Sequence, residues 1–199
     1  MKRIKVLHII AGLGNGGAER QLIELLKFKR KHGVLILSDA GIYRETLNKL
    51  KINYWELGVK NKFFIFFKIL KFFKIINIFK PDIIQAWMYN ACVLSAMYKL
   101  LNIKKVKMIW CIRCSNMITK YYSISLKIII FICKALSSNA DKIVYNSSAG
   151  MQYHTKQGFS DERKTIIYNG FDSKKFNKVL ALRKKLREHF GFHSEDKII

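Results

Sequence analysis

The sequence predicts an α/β fold built as a doubly wound parallel sheet, and three observations carry that expectation. Short apolar runs alternate with segments of helical spacing along most of the 199 residues. Strands that alternate with helices argue for parallel pairing with helices on both faces. The first apolar run passes through a glycine-rich turn straight into a helical segment. The single proline, Pro81, stands between a helical segment and an apolar run, where a chain must leave the helical conformation. Half of the residues are hydrophobic, which supplies a full core and excludes a disordered composition.

Taken in order, Lys5–Ile10 reads as a buried strand, 11–17 as a turn nearly free of Cβ atoms, and 18–31 as a helix. Strands are then expected at 34–37, 53–57, 82–87, 106–112, 142–145 and 165–168. The helices between them are expected at 43–50, 63–79, 90–101, 125–136 and 148–157, the last capped by the Asn146-Ser147-Ser148 run. Past Tyr168 the character changes. Asn169-Gly170-Phe171-Asp172 is a turn signal, 178–190 reads as a basic helix closed by Gly191, and 196–199 reads as the opening of another strand. The expected organisation is therefore a domain over 1–170 and a linker helix with the first strand of a second domain over 171–199.

The formal net charge is +24, from 37 basic and 13 acidic residues. The 29 lysines against 8 arginines, with abundant Ile, Asn and Phe, fit an AT-rich genome and explain part of the excess. Its distribution says more. From Leu57 to Ala140 the only acid is Asp82, against fourteen Lys and Arg, and a one-signed stretch suits an anionic partner. No nucleic-acid motif or Arg-rich helix accompanies it, so the expected partner is an anionic membrane surface and not nucleic acid. Cys92, Cys111, Cys114 and Cys133 provide one close pair but no second, so no metal is expected and the thiols read as reduced. Residues 4–10 are too short for a secretory signal, and no uncharged apolar run approaches the ~20 residues that span a bilayer. The expected location is cytoplasmic, peripheral on the inner face of the plasma membrane.

Strand, glycine turn and helix N-terminus together make an anion site, because backbone N–H groups and the helix dipole both favour negative charge. Gly12, Gly14 and Gly17 satisfy the dinucleotide pattern, with Gly16 inserted, and Asp39 stands where a ribose-binding acid would sit. One reading is thus a Rossmann NAD(P)-binding oxidoreductase, and another is a phosphate site of a different kind. In the aromatic segment 63–80, Lys68, Lys71 and Lys74 recur every three residues, which gathers them on one face of a helix. That pattern suits a membrane interface as well as an ordinary sheet-covering helix, and allows a non-catalytic membrane-surface module. Trp87 ends one strand with Asn90 just after it, and Arg113, Ser115 and Asn116 follow another. Both groups sit at the presumed cleft, where aromatic and polar side chains can stack and hydrogen-bond a sugar and a guanidinium can hold a phosphate. His8 falls inside the first strand and reads as a core histidine. His32, His154, His189 and His193 have no partner legible in the sequence.

Four stretches, taken in order, resemble a bacterial family 4 glycosyltransferase: His8-Ile9-Ile10-Ala11-Gly12-Leu13-Gly14-Asn15-Gly16-Gly17-Ala18-Glu19, then Lys80-Pro81-Asp82-Ile83-Ile84-Gln85-Ala86-Trp87, then Ala140-Asp141-Lys142-Ile143-Val144-Tyr145-Asn146-Ser147, and finally Ile166-Ile167-Tyr168-Asn169-Gly170-Phe171-Asp172 with Phe176. The resemblance implies the N-terminal, Rossmann-like half of a GT-B fold, which receives the acceptor. A C-terminal half would bind the nucleotide-sugar and carry paired glutamates, and that half is expected to be absent from these residues. It implies a retaining transfer from a nucleotide-sugar to a lipid-linked or cell-surface glycan, such as polysaccharide or lipopolysaccharide, without metal or other cofactor. Gly14, Gly16 and Gly17 would face the donor diphosphate, Trp87, Asn90, Ser115 and Asn116 the acceptor, and Lys68, Lys71 and Lys74 the membrane. Where relatives carry a histidine the alignment gives Arg113, a candidate catalytic group or phosphate clamp.

Overall fold

In the computed structural model, the described residues are 4–28, 31–58, 65–101, 106–116, 122–173, 180–193 and 195–197. The chain divides into two compact units, Met1–Asn169 and Gly170–Ile199. The first holds a seven-stranded sheet in the order β3-β2-β1-β4-β5-β6-β7. The strands are β1 (Lys5–Ile10), β2 (Lys31–Ile36), β3 (Asn53–Glu56), β4 (Ile83–Trp87), β5 (Lys107–Ile112), β6 (Lys142–Tyr145) and β7 (Lys164–Ile166). Every pairing is parallel, as the alternation predicts.

The helices of this unit are α1 (Gly17–Leu26), α2 (Arg44–Lys49), α3 (Ile65–Phe79), α4 (Met88–Leu100), α5 (Ile124–Ala135) and α6 (Ser148–Lys156). Right-handed crossovers put helices on opposite faces according to the direction in which the strand order advances. The packing shows both faces. Leu7 and Ile9 of β1, Ile84 and Ala86 of β4, and Met108, Trp110 and Ile112 of β5 face Phe72, Ile75, Ile76, Cys92, Ile130 and Cys133 of α3, α4 and α5. Their alternates, Ile10, Trp87 and Cys111, turn to the layer containing Leu22, Ile23 and Leu26 of α1 and Leu47 of α2. Period-2 alternation with both faces buried is the signature of a doubly wound sheet.

Several boundaries differ from the sequence expectation. β2 starts at Lys31 and takes the turn of chain assigned to the end of the first helix. α4 begins directly after β4, because Met88 adopts a left-handed conformation (φ 64°) and reverses the chain within one residue. Such backbone is uncommon outside glycine. Phe79 and Trp55 lie over Gly33, where a Cβ would come within 2.9 Å of the Phe79 ring, so glycine lets α3 seat on β2.

In the second unit, α7 (Leu180–Phe190) ends at Gly191 (φ 70°), with the Phe192 N–H donating to the Arg187 carbonyl at 2.9 Å. This is the expected glycine cap. The strand expected over 196–199 is not formed by the described residues 196 and 197. Asp196 instead closes a turn, its carboxylate accepting from the His193 N–H at 2.7 Å; residues 198 and 199 lie outside the described residues. No helix among the described residues is long and apolar enough to cross a membrane.

Candidate functional site

In an open α/β sheet, ligands bind beyond the carboxyl ends of the strands, where the strand order reverses. Here that point lies between β1 and β4, paired through Ile10 and Trp87. The glycine loop leaves β1 on one side and α4 leaves β4 on the other. The loop leans on the segment after β2: Ser38 donates to the Ala11 carbonyl at 2.8 Å, and the Leu13 N–H reaches the Asp39 carbonyl at 3.3 Å. Asp39 spends a carboxylate oxygen on the Gly41 N–H at 2.9 Å, so it stabilises a turn.

Gly14 and Gly17 have nothing within 4 Å of where a Cβ would stand, which leaves their backbone open to an approaching ligand. Gly16, the N-cap of α1, is different. A Cβ there would collide with the Glu19 carboxylate, which folds back against the helix N-terminus. An acid three residues past the N-cap is stabilised there by the orphan N–H groups and the dipole. A negative charge of the chain's own therefore lies beside the anion-favouring end of α1.

Arg113 follows β5 and is half-buried. Its Nη1 donates to Asn169 Oδ1 at 2.6 Å and to the Ile167 carbonyl at 3.4 Å. Its guanidinium lies 5.2 Å from the Trp87 ring, a cation–π contact, and its backbone N–H points to Met88 Sδ at 3.3 Å. The expected stacking of a sugar on Trp87 is not available in this structure. Trp87 is only 1 % exposed, because its alternation in β4 directs it into the layer beneath α1. There its indole N–H donates to His8 Nδ1 at 3.3 Å, so it serves as the platform beneath Arg113.

That bond fixes the His8 tautomer. Nδ1 accepts from Trp87, so Nε2–H donates to His32 Nδ1 at 3.0 Å. Burial, reinforced by the neighbouring His32, pushes the His8 pKa down to about 3, so the imidazole stays neutral. His32, without a partner in the sequence reading, gains one in the fold. So does His154: Tyr89 donates to its Nε2 at 2.8 Å and its Nδ1–H donates to the Gly150 carbonyl at 2.7 Å. Burial lowers its pKa, against the opposite pull of the Gly150 carbonyl. This histidine ties the first turn of α4 to the first turn of α6.

Ser115 and Asn116 are exposed at the same edge, and Asn90 is half-buried on the first turn of α4. Ser115 Oγ lies 3.3 Å from Ser147 Oγ, which also accepts the Gly150 N–H at 3.0 Å and caps α6. Gly150 presses on this loop: a Cβ would come within 2.9 Å of the Cys114 carbonyl. Two side-chain atoms here are buried without a partner among the described residues, the donor Arg113 Nε and the acceptor Asn146 Oδ1. They follow Ile112 and Tyr145, which are paired in the sheet. Buried polar atoms are nearly always satisfied, so an orphan donor and an orphan acceptor at one edge fit a site that a ligand completes. The sequence reading missed Asn146 as a site residue, assigning it to a capping run, and missed Asn169, which it read as a turn. Position immediately after a strand was the available signal for Asn146.

Lys68, Lys71 and Lys74 are not equivalent. Lys71 Nζ donates to the Glu56 carbonyl at 2.7 Å, and Lys68 Nζ lies by Gly58, 3.6 Å from a Cβ position there. Both lean back over the end of β3, although Lys71, like Lys74, remains exposed. Among the described residues, no group of three or more His, Cys, Asp or Glu is placed to hold a metal ion.

The model of Glycosyltransferase Family 4 matches residues 15–175, most of the chain. The chain belongs to glycosyltransferase family 4. Its fold is the Rossmann-like N-terminal domain of GT-B glycosyltransferases, and solved structures agree. Anabaena Alr3699/HepE in complex with UDP-glucose superimposes with a TM-score of 0.76 at 20% identity, over 94% of this chain and 50% of HepE. A glycosyltransferase from Rickettsia africae gives 0.66 at 20% identity, over 98% and 51%. The lipopolysaccharide outer core galactosyltransferase WaaB gives 0.62 at 15% identity, over 85% and 46%. The family 4 chain thus spans about half the length of the structures it matches. No curated protein sequence matches it.

Proposed function

We propose that this chain forms the acceptor-side half of a retaining glycosyltransferase. The enzyme would move a hexosyl group from a nucleotide-sugar to a lipid-linked or cell-surface glycan, as in polysaccharide or lipopolysaccharide synthesis, at the inner face of the plasma membrane. Family membership carries this reading over a Rossmann oxidoreductase, and structural neighbours in complex with UDP and with UDP-glucose support a nucleotide-sugar donor. The bond from the sugar anomeric carbon to the diphosphate oxygen breaks, the diphosphate leaves with the electron pair, and an acceptor hydroxyl oxygen bonds that carbon. The hydroxyl proton passes to the departing diphosphate. The open backbone at Gly14 and Gly17, with Gly16, would stabilise the leaving charge electrostatically. Arg113, held by Asn169 and Trp87, would clamp a phosphate oxygen. Asn90, Ser115 and Asn116 would hydrogen-bond the acceptor. The chemistry requires no metal or other cofactor.

The single observation that carries the site is the pair of orphan atoms, Arg113 Nε and Asn146 Oδ1, at the carboxyl edge of the sheet. The test is transfer of labelled sugar from UDP-sugars to a membrane extract by the chain together with a donor-side GT-B half, with and without EDTA. The expected result is transfer insensitive to EDTA, lost by the 199 residues alone, and reduced at least tenfold by Arg113→Ala. Robust transfer by the chain alone, or saturable NAD(P) binding lost in Gly14→Val, would overturn it.

A further inference from the structure

Helix α5 is apolar on both sides. Ile130 and Cys133 are buried against the sheet layer, yet Ile124, Ile128 and Phe131 are 76 %, 53 % and 64 % exposed. Positions 124, 128 and 131 fall on one outward stripe at helical spacing. A helix that is apolar all round belongs in an interior or at an interface. On the same sheet face, α4 exposes Met97 and Leu100 near its C-terminal end. Both helices run from the carboxyl to the amino edge of the sheet, so the Met97 and Leu100 end of α4 lies on the side of the C-terminal end of α5. The charged groups on the α5 stripe are cations, with Lys127 exposed on it and Lys134 5.4 Å from the Phe131 ring, and the acid beside the end of α4, Asp141, is already paired with Lys99 at 2.8 Å.

We infer that the outward face of α5, extended by the end of α4, is the surface by which this protein docks on an anionic lipid bilayer. The inference deepens the proposed function by naming the face on which an enzyme of that kind would meet its acceptor. Charge decides the occupant. A second copy would bring Lys127 and Lys134 against their own equivalents in a stretch whose only acid from Leu57 to Ala140 is Asp82, and like charges across an interface are costly. A bilayer with anionic headgroups instead accepts the apolar stripe into its acyl boundary and pairs the lysines at headgroup level. The contact thereby falls on α5, whereas two of the three lysines expected to serve on α3 are turned to the end of β3. Because α5 starts just beyond the loop carrying Arg113, Ser115 and Asn116, a lipid-held acceptor would enter at the site edge.

The experiment is sedimentation of the full chain with phosphatidylglycerol vesicles and with phosphatidylcholine vesicles, with no nucleotide-sugar present, so its outcome is separate from that of the transfer assay. Binding to the phosphatidylglycerol vesicles is expected, weakened by salt and at least tenfold lower for Ile128→Gln with Phe131→Gln at unchanged circular dichroism. Amide hydrogen exchange of the unsubstituted protein supplies a second readout: added vesicles should protect α5 and leave α1 unchanged. Undiminished binding by the doubly substituted protein, no binding to either vesicle, or a stable dimer in solution that the two substitutions dissociate would overturn the inference.

Discussion

The two faces of the sheet are built alike on the inside and oppositely on the outside. Under α1 and α2, Leu22, Ile23, Leu26 and Leu47 pack into the sheet, while exposed Arg20 and the ion pair of Arg44 with Glu56 face outward. Those helices are amphipathic, and solvent completes them. Under α3, α4 and α5 the inner side is likewise buried, with Phe72 edge-on to Tyr98 at 6.0 Å, but the outer side presents Leu70, Ile78, Leu100, Ile128 and Phe131 to solvent. The difference teaches that inner packing is common to both faces, and that the outer apolar side chains of the second face lie outside that packing.

The largest expected effect separates the faces by pH. His8 belongs to the α1/α2 side and has a folded-state pKa of about 3 against an ordinary 6.5. A base with a depressed pKa is protonated preferentially in the unfolded chain. Stability is therefore full above pH ~6.5 and falls by about 1.4 kcal/mol per unit as pH drops toward ~3. Urea titrations across that range should show the decline, and flat stability from pH 6.5 to 4.5 would mean that His8 is not held neutral. Next come the inner layers, which should not differ between faces. Phe72→Ala should cost about 3–5 kcal/mol and Leu22→Ala about 2–5 kcal/mol, measured by chemical denaturation; a cost below ~1 kcal/mol at either would break the symmetry. The smallest effect tests the outer layer. Ile128→Gln should change stability by no more than about 0.5 kcal/mol, and a larger loss would show that the outer stripe of α5 is packed in solution.

Strand and helix order was legible because periodicity reports burial, and burial on both faces leaves a strong pattern in β1, β4 and β5. The start of α4 was not legible. Nothing in Trp87-Met88-Tyr89 announces a left-handed residue, since methionine has no preference for that conformation. β2 was mis-set at Lys31-His32-Gly33 because a charge, an imidazole and a glycine do not read as strand, and their fit depends on His8 and on the Phe79 ring. The candidate site was legible as a location: the glycine loop and the residues following β4 and β5 lie at the carboxyl edge. Individual roles were less so. Trp87 has the composition of a sugar platform, but its side is set by the register of β4, which no local pattern discloses. The bond from Arg113 to Asn169 joins residues on separate strand ends and exists only once β7 is in place.

The carboxylate of Glu19 against Gly16 places a fixed negative charge beside the glycine loop. A singly charged anion offers this helix N-terminus little that it does not already have. A ligand that displaces Glu19 must bring more charge, more hydrogen bonds or further contacts elsewhere in the cleft. Discrimination of this sort comes from raising the threshold for every comer and letting only the multidentate ones exceed it. On the proposed function, the loop would therefore favour a diphosphate delivered with the remainder of a donor over free phosphate.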